Sequence, residues 1–270
     1  MEKRTNRKSK EQSFINDKVI NKMNNKMNFK FITVLAFATL AITSCKKDDD
    51  SSLSQQSTSI NKILALGASR VEGSRPEFES YRYELWNSLK ENNWIIDFIG
   101  TQTDESSYPT FNNMNFDVDH EGRGGWTSGE ILNGLGDWLN QTGSADIVLL
   151  SSPGGNDALE GLPYSQAVAN INNIVDILQA NNPNVKIILE QMAPGRSDIM
   201  TSELTEFFTQ MQQEVINIAV NKTTASSTVI AVDMFTGFND NLLADDVHYN
   251  EAGAVFIANR YYSILINILE

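Results

Sequence analysis

The chain has 270 residues, 41% hydrophobic and 20% charged, enough for one sizeable core, and its periodic part runs unbroken from about Ile60 to the end. It carries 21 Lys and Arg against 34 Asp and Glu, but residues 1–45 hold 9 of the basic and 3 of the acidic groups, leaving 12 basic and 31 acidic, a net of −19, beyond them. Such a surface repels phosphate backbones and anionic headgroups, which argues against nucleic acid or a lipid surface as a ligand of the folded part.

Residues 31–42 form an uncharged, mostly apolar run preceded by Lys26 and Lys30. The run is too short to span a bilayer and suits the core of a signal peptide. It ends in Ile42-Thr43-Ser44-Cys45, which resembles the lipobox of bacterial lipoproteins, where the cysteine is lipidated and becomes the mature N-terminus. Cys45 is the only cysteine, so no internal disulfide can form. Met27 stands at a more usual distance from the apolar run than Met1 and is an alternative start. Residues 46–59 contain the acidic run Asp48, Asp49 and Asp50 and then Ser and Gln, a composition that cannot order itself and is expected to serve as a flexible tether. The acidic run resembles the surface-export signal of some Gram-negative lipoproteins. The leader thus implies a cell-envelope lipoprotein, held by its lipid in the outer membrane, with a folded domain over 60–270.

Within that domain, apolar β-branched runs alternate with amphipathic stretches, the pattern of a parallel sheet covered on both faces. The first strand is predicted over 63–66, a helix over 77–92 and a second strand over 94–99. A long polar loop, 101–125, leads into a helix over 128–139. Strand 147–150, helix 164–180, strand 185–189, helix 202–220, strand 229–232 and a closing helix over 251–269 complete the chain. Five parallel strands with intervening helices predict one doubly wound three-layer α/β/α domain, whose ligands sit beyond the carboxyl ends of the strands. Nothing in the sequence suggests an internal repeat or a spanning helix.

Ser69 follows the first strand in Gly67-Ala68-Ser69-Arg70. A serine hydroxyl is a weak nucleophile without a base, and on its own this residue reads equally as a turn or a helix cap. The base is found at the far end: Asp245 precedes His248 by three, a spacing that brings a carboxylate to an imidazole and leaves the second ring nitrogen for the serine. The other of the two histidines, His120, lacks that setting and belongs to the pocket wall or the core. Acyl transfer also needs donors for a developing oxyanion, each worth about 2.7–4 kcal/mol. The backbone N–H of Gly125 and the side-chain amide of Asn156 are the candidates, against the plainer readings of a helix-entry turn and an Asx turn. No metal-ligand spacing and no phosphate-cradling glycine loop occurs, so neither a metal nor another cofactor is expected.

The four segments around Ser69, Gly125, Asn156 and His248 resemble the blocks of the SGNH (GDSL-type) hydrolases across nearly all of 60–270. The resemblance implies a flavodoxin-like α/β/α fold, Ser69 as nucleophile, His248 as base, Asp245 as its orienting acid, and an oxyanion hole from Ser69, Gly125 and Asn156. Tyr81-Arg82-Tyr83-Glu84-Leu85-Trp86, Asp97-Phe98-Ile99-Gly100 and His120-Glu121-Gly122-Arg123-Gly124-Gly125-Trp126 are similar to the branch containing acetylxylan esterases. One departure stands out: the family usually has Asp, a hydrogen-bonding support, where this chain has Ala68. The expected activity is hydrolysis of short acyl esters, acetyl groups on carbohydrate above all, through an acyl-enzyme. The alternatives are a surface glycan-binding lipoprotein without turnover, or a lipase or thioesterase of the same fold. Tyr108, Phe111 and Trp126 are candidate platforms for sugar rings or else core residues. Arg123 and Arg70 are candidate donors near the mouth or surface ion-pair partners, and His120 is a candidate for the pocket lining.

Overall fold

The computed structural model describes residues 56–270; the leader, Cys45 and most of the tether lie outside the described residues. Strand β1 (Lys62–Gly67) is the centre of the sheet. On one edge it pairs in parallel with β5 (Ile147–Leu150), from Ile63 opposite Ile147 to Leu66 opposite Leu150. Its other edge is shared by two strands in series: β2 (Asp97–Ile99) pairs with its first half and β4 (Asp119–Gly122) with Leu66 and Gly67. Beyond β5 come β6 (Lys186–Gln191) and β7 (Val229–Asp233), both parallel. The two-residue β3 (Gln102–Thr103) runs antiparallel to β4 at the outer edge.

The sheet therefore has seven strands rather than the five expected, and it is mixed at one margin. Both additional strands come from the segment read as a polar loop. Asp119-His120-Glu121-Gly122 has no apolar alternation, so β4 is invisible to a hydrophobicity pattern. Its three last residues are nevertheless buried, their polar groups satisfied internally.

Period-2 alternation splits each central strand between two cores, the arrangement of a sheet covered on both faces. Leu64, Leu66, Val148 and Leu150 pack with α3 (Ser128–Thr142), α5 (Tyr164–Asn181) and α6 (Ser202–Lys222) through Ile131, Leu135, Ile171, Ile174, Met211 and Val215. Ile63, Ala65, Ile147 and Leu149 pack with α2 (Arg82–Glu91) and α7 (Glu251–Leu265) through Leu85, Trp86, Leu89, Ile257 and Tyr261. Two short helices sit at the carboxyl edge: α1 (Ser69–Glu72) directly after β1 and α4 (Gly155–Leu159) soon after β5. Among the described residues no helix is long and apolar enough to cross a membrane.

Candidate active site

Ser69 is the first residue of α1, so the turn out of β1 lifts its hydroxyl to the sheet's carboxyl edge. Its Oγ lies 2.8 Å from His248 Nε2, and His248 Nδ1 lies 2.7 Å from Asp245 Oδ2. A carboxylate only accepts, so Nδ1 carries the proton and Nε2 is left to accept from the serine. Asp245 does more than face the ring: its Oδ1 accepts the backbone N–H groups of Val247 at 2.9 Å and His248 at 2.8 Å, closing a tight loop around the imidazole. Burial tends to raise the Asp245 carboxyl, but the bonds from the His248 side chain and from the two backbone amides outweigh it and hold the group at about 2. Asp245 is thus ionised throughout any working range. Phe78 lies flat on the imidazole, ring centroids 3.9 Å apart and planes 14° from parallel, which fixes the ring's tilt.

A cleft of about 510 Å³ opens over this chain, bordered by Ser69, Glu72, Ser74, Phe78, Gly124, Gly125, Asn156, Leu159, Val247 and His248. Gly125 has φ +78 with open space where a Cβ would point, so glycine is required there by backbone conformation and not by crowding. Asn156 stands in the first turn of α4, and its Nδ2 donates to Trp126 O at 2.8 Å, which leaves its second amide hydrogen unassigned to that bond. Ser69, Gly125 and Asn156 thus meet at one cleft from three separate segments of the chain.

What holds the Gly125 and Asn156 segments in register is Asp157, to which the sequence assigned no role. Its buried carboxylate accepts from Ser128 N at 2.8 Å and from Ser128 Oγ at 2.7 Å, tying α4 to the first turn of α3. Thr127 and Glu130 form a capping box at the same helix start. Gly122 brings β4 against α1: a Cβ there would stand 2.3 Å from Glu72 N.

Three of the expected substrate contacts are turned inward instead. His120 is 2% exposed, accepts from Gly122 N–H at Nδ1 and is pushed down to about 3, chiefly by burial and then by the Arg82 charge; it is core. Arg123 pairs with Glu121 at 2.7 Å and lies over the rings of Trp126 and Trp138, at 5.1 and 4.2 Å. Tyr108 donates to Asp104, packs on Tyr83 and Phe116, and carries Arg75 over its ring. None of the three borders the cleft. Trp126 is half-buried and lines, with Ser69 and Asn156, a small adjoining cavity of about 50 Å³. Phe111 packs edge-on to Trp86. The physical reason is common to all: each long polar or aromatic group found a fixed partner elsewhere in the fold, which sequence spacing does not reveal. Among the described residues no three His, Cys, Asp or Glu side chains gather as a metal-ligand set.

A three-layer sheet with this hydroxyl, imidazole and carboxylate at its carboxyl edge has the architecture of an α/β/α ester hydrolase. Over residues 65–255 the chain matches the GDSL-like Lipase/Acylhydrolase family, and it belongs to that family. Among solved structures it is similar to a carbohydrate esterase family 3 protein from Talaromyces cellulolyticus, at 27% identity and TM-score 0.66, covering 77% of this chain and 97% of that one. It is likewise similar to a family 3 carbohydrate esterase from Clostridium thermocellum, at 31% identity and TM-score 0.62, covering 77% and 96%. A third, an acetyl esterase mutant with acetate ion, shares 26% identity at TM-score 0.65, covering 77% and 97%. A comparison with curated protein sequences gave no match. The chain is a carboxylic ester hydrolase.

Proposed function

We propose that the protein removes short acyl groups, acetyl above all, from carbohydrate, through an acyl-enzyme at Ser69. The observation that carries this reading is the unbroken chain from Ser69 Oγ through His248 to Asp245, at 2.8 and 2.7 Å, facing a cleft also bordered by Gly125 and Asn156. His248 Nε2 takes the hydroxyl proton as Ser69 Oγ bonds to the ester carbonyl carbon, and the negative charge collects on the carbonyl oxygen. Donors from Ser69 N–H, Gly125 N–H and the Asn156 amide stabilise that oxygen. Collapse breaks the bond to the alcohol oxygen, which leaves with the proton from His248. Water then repeats the sequence, with His248 as base, to release the acid. Asp245 stays ionised and holds the imidazole in the required tautomer.

Support for an acetylated carbohydrate comes from the neighbours described as carbohydrate and acetyl esterases, and from a cleft whose wall mixes Glu72, Ser74 and Asn156 with the flat face of Phe78. The lipobox-like Cys45 supports attachment to the cell envelope by a lipid anchor, in the outer membrane.

A fluorophosphonate probe tests the mechanism on the full-length protein. It is expected to label Ser69 stoichiometrically, and Ser69→Ala and His248→Ala are each expected to lower kcat by several orders of magnitude without unfolding the domain, because nucleophile and base act as a unit. Labelled protein is expected to sediment with membranes, and Cys45→Ala to release it. More than a tenth of the activity left in Ser69→Ala would reject the nucleophile; absence of labelling in the unmodified protein would favour a glycan-binding lipoprotein instead.

A further inference from the structure

Arg70 follows the nucleophile, and its side chain does not reach the mouth of the cleft. It is 7% exposed and turned beneath α1. There its Nε donates to Val247 O at 2.8 Å, its Nη1 to Ala193 O at 2.8 Å and its Nη2 to Pro194 O at 3.0 Å. The guanidinium also lies over the ring of Tyr249, 4.8 Å from its centroid. Arg70 therefore grips the residue before His248 by its carbonyl and the residue after it by its ring. The residue next to the nucleophile holds both neighbours of the base.

We infer that Arg70 is a positioning residue that sets the Ser69–His248 distance by clamping the loop of the catalytic histidine to the helix of the catalytic serine. Three features separate a clamp from ordinary filling of a core. The acceptors are main-chain carbonyls of two different loops, so the bonds fix backbone and not merely side chains. The planar fork serves three acceptors at once, which the single ammonium of lysine cannot reproduce. The hydrogen-bond network also continues behind the guanidinium. Ser152 Oγ stands 3.3 Å from Arg70 Nη1 and 3.3 Å from Glu190 Oε2, and Glu190 is fully buried, with its other oxygen accepting from Tyr261 OH at 2.7 Å. The clamp is thereby anchored to β6 and α7 behind the site.

The inference rests on the Ser69–His248 reading, and its test keeps the two apart. Arg70→Lys and Arg70→Met are compared with the unmodified protein for kcat, KM and the rate of fluorophosphonate labelling, at a temperature well below every variant's Tm. A displacement of the base by about 1 Å is expected to lower kcat and labelling by roughly 10²-fold. KM is expected to change less than threefold, because Arg70 is absent from the wall of the cleft over Ser69 and is one of many side chains around the small adjoining cavity. In proton NMR the downfield resonance of His248 Nδ1–H, easily assigned in a chain with two histidines, is expected to broaden or vanish in both variants. A core residue without a positioning role would lower Tm and leave these readouts unmoved. Folded variants with kcat within threefold of the unmodified protein and an unchanged Nδ1–H resonance would overturn the clamp. If neither variant folds, the Arg70 Nε–H order parameter in the unmodified protein decides: a value near 0.85 is expected, and one below about 0.6 overturns it. If the unmodified protein neither labels nor turns over, the esterase mechanism has failed, and the Nδ1–H resonance and order parameter still judge the clamp.

Discussion

Asn156 commits one amide hydrogen to Trp126 O, and that bond aims the rest of the amide. An amide so fixed meets the transition state without reorganising, which is where preorganised donors act most strongly. Asn156→Ala is therefore expected to lower kcat by roughly 10²–10³-fold with KM nearly unchanged, as steady-state kinetics on an aryl acetate would show. A rise in KM at constant kcat would make Asn156 a ground-state contact. The same logic separates the two histidines. His248 is 19% exposed at its side chain and faces the serine, whereas His120 is sealed in the core and held neutral, its Nδ1 already accepting from Gly122. One of the two can exchange a proton with a substrate; the other is an internal acceptor for the β4 backbone.

At the scale of elements, α3 matters because the Gly125 turn leads into it. Its start is held by the Thr127–Glu130 capping box and by Asp157, so the Gly125 turn inherits the rigidity of a capped helix. Thr127→Ala is expected to cost about 1 kcal/mol of stability in a denaturant titration. If the cap also steadies Gly125, kcat will fall severalfold while KM stays put. Unaltered kcat would confine the cap to stability. The helices were legible in the sequence because their apolar residues repeat at about 3.6, and the central strands because they are short unbroken apolar runs buried on both faces. Ile147–Leu150 agrees to the residue. The serine, histidine and aspartate were legible because each lies beside a glycine turn or a short loop with few alternatives. The illegible parts have one cause. Arg70, Arg82, Glu121 and Glu190 are ionisable and buried, and each is satisfied by groups distant in the chain. A pattern that equates charge with surface sends all four outward, and with Glu121 it loses strand β4. The five-residue α4 was missed because one helical turn carries no periodicity, and helix α2 begins at Arg82 because the preceding residues pair instead, Ser74 with Phe78 and Glu79 with Tyr249.

For the whole molecule, three groups give stability a definite pH profile. His120 titrates at about 3 when folded, against about 6.5 unfolded, so as pH falls below about 6.5 the unfolded chain gains a proton that the folded one refuses. Stability is lost in that direction. Asp117 is raised by burial, and then by neighbouring Asp119 and Asp97, to about 6, against about 3.9 unfolded; between those values the folded state holds the extra proton, and stability is lost as pH rises. The two slopes oppose one another between about pH 4 and 6. Below that only the losses remain, from His120 and from Asp245, whose low folded value contributes stability that disappears toward about pH 2. Thermal melts are expected to be nearly flat from neutrality to about pH 4 and to fall steeply beyond it. Asp117→Asn should expose the His120 slope as a Tm that declines between pH 6 and 4, and an unchanged flat profile would reject the compensation.

The last expectation concerns the substrate and follows from what surrounds the cleft. A long acyl chain needs a contiguous apolar track leading away from the serine. Of the large hydrophobic side chains exposed among the described residues, Leu159 alone borders the cleft, while Ile60, Ile95, Ile216 and Val220 do not. The adjoining cavity behind Ser69 has an apolar wall, from Trp126, Ile131, Leu150, Ile174, Met192 and Phe208, but its volume of about 50 Å³ suits a short acyl group and not a long chain. On the alcohol side, Glu72, Ser74 and Asn156 offer hydrogen bonds to hydroxyls, and the carboxylate of Glu72, in a domain already strongly acidic, disfavours anionic alcohols. Acetyl esters of neutral sugars are therefore expected to be hydrolysed with kcat/KM at least 10²-fold above esters of eight or more carbons, and acetylated uronic acids to gain relative to neutral sugars in Glu72→Gln. A panel of acetyl, butyryl and octanoyl esters, with acetylated xylan beside an acetylated uronide, measures both. Equal or faster turnover of octanoyl esters would replace the carbohydrate reading with a lipase, and the Ser69–His248–Asp245 mechanism would stand unchanged.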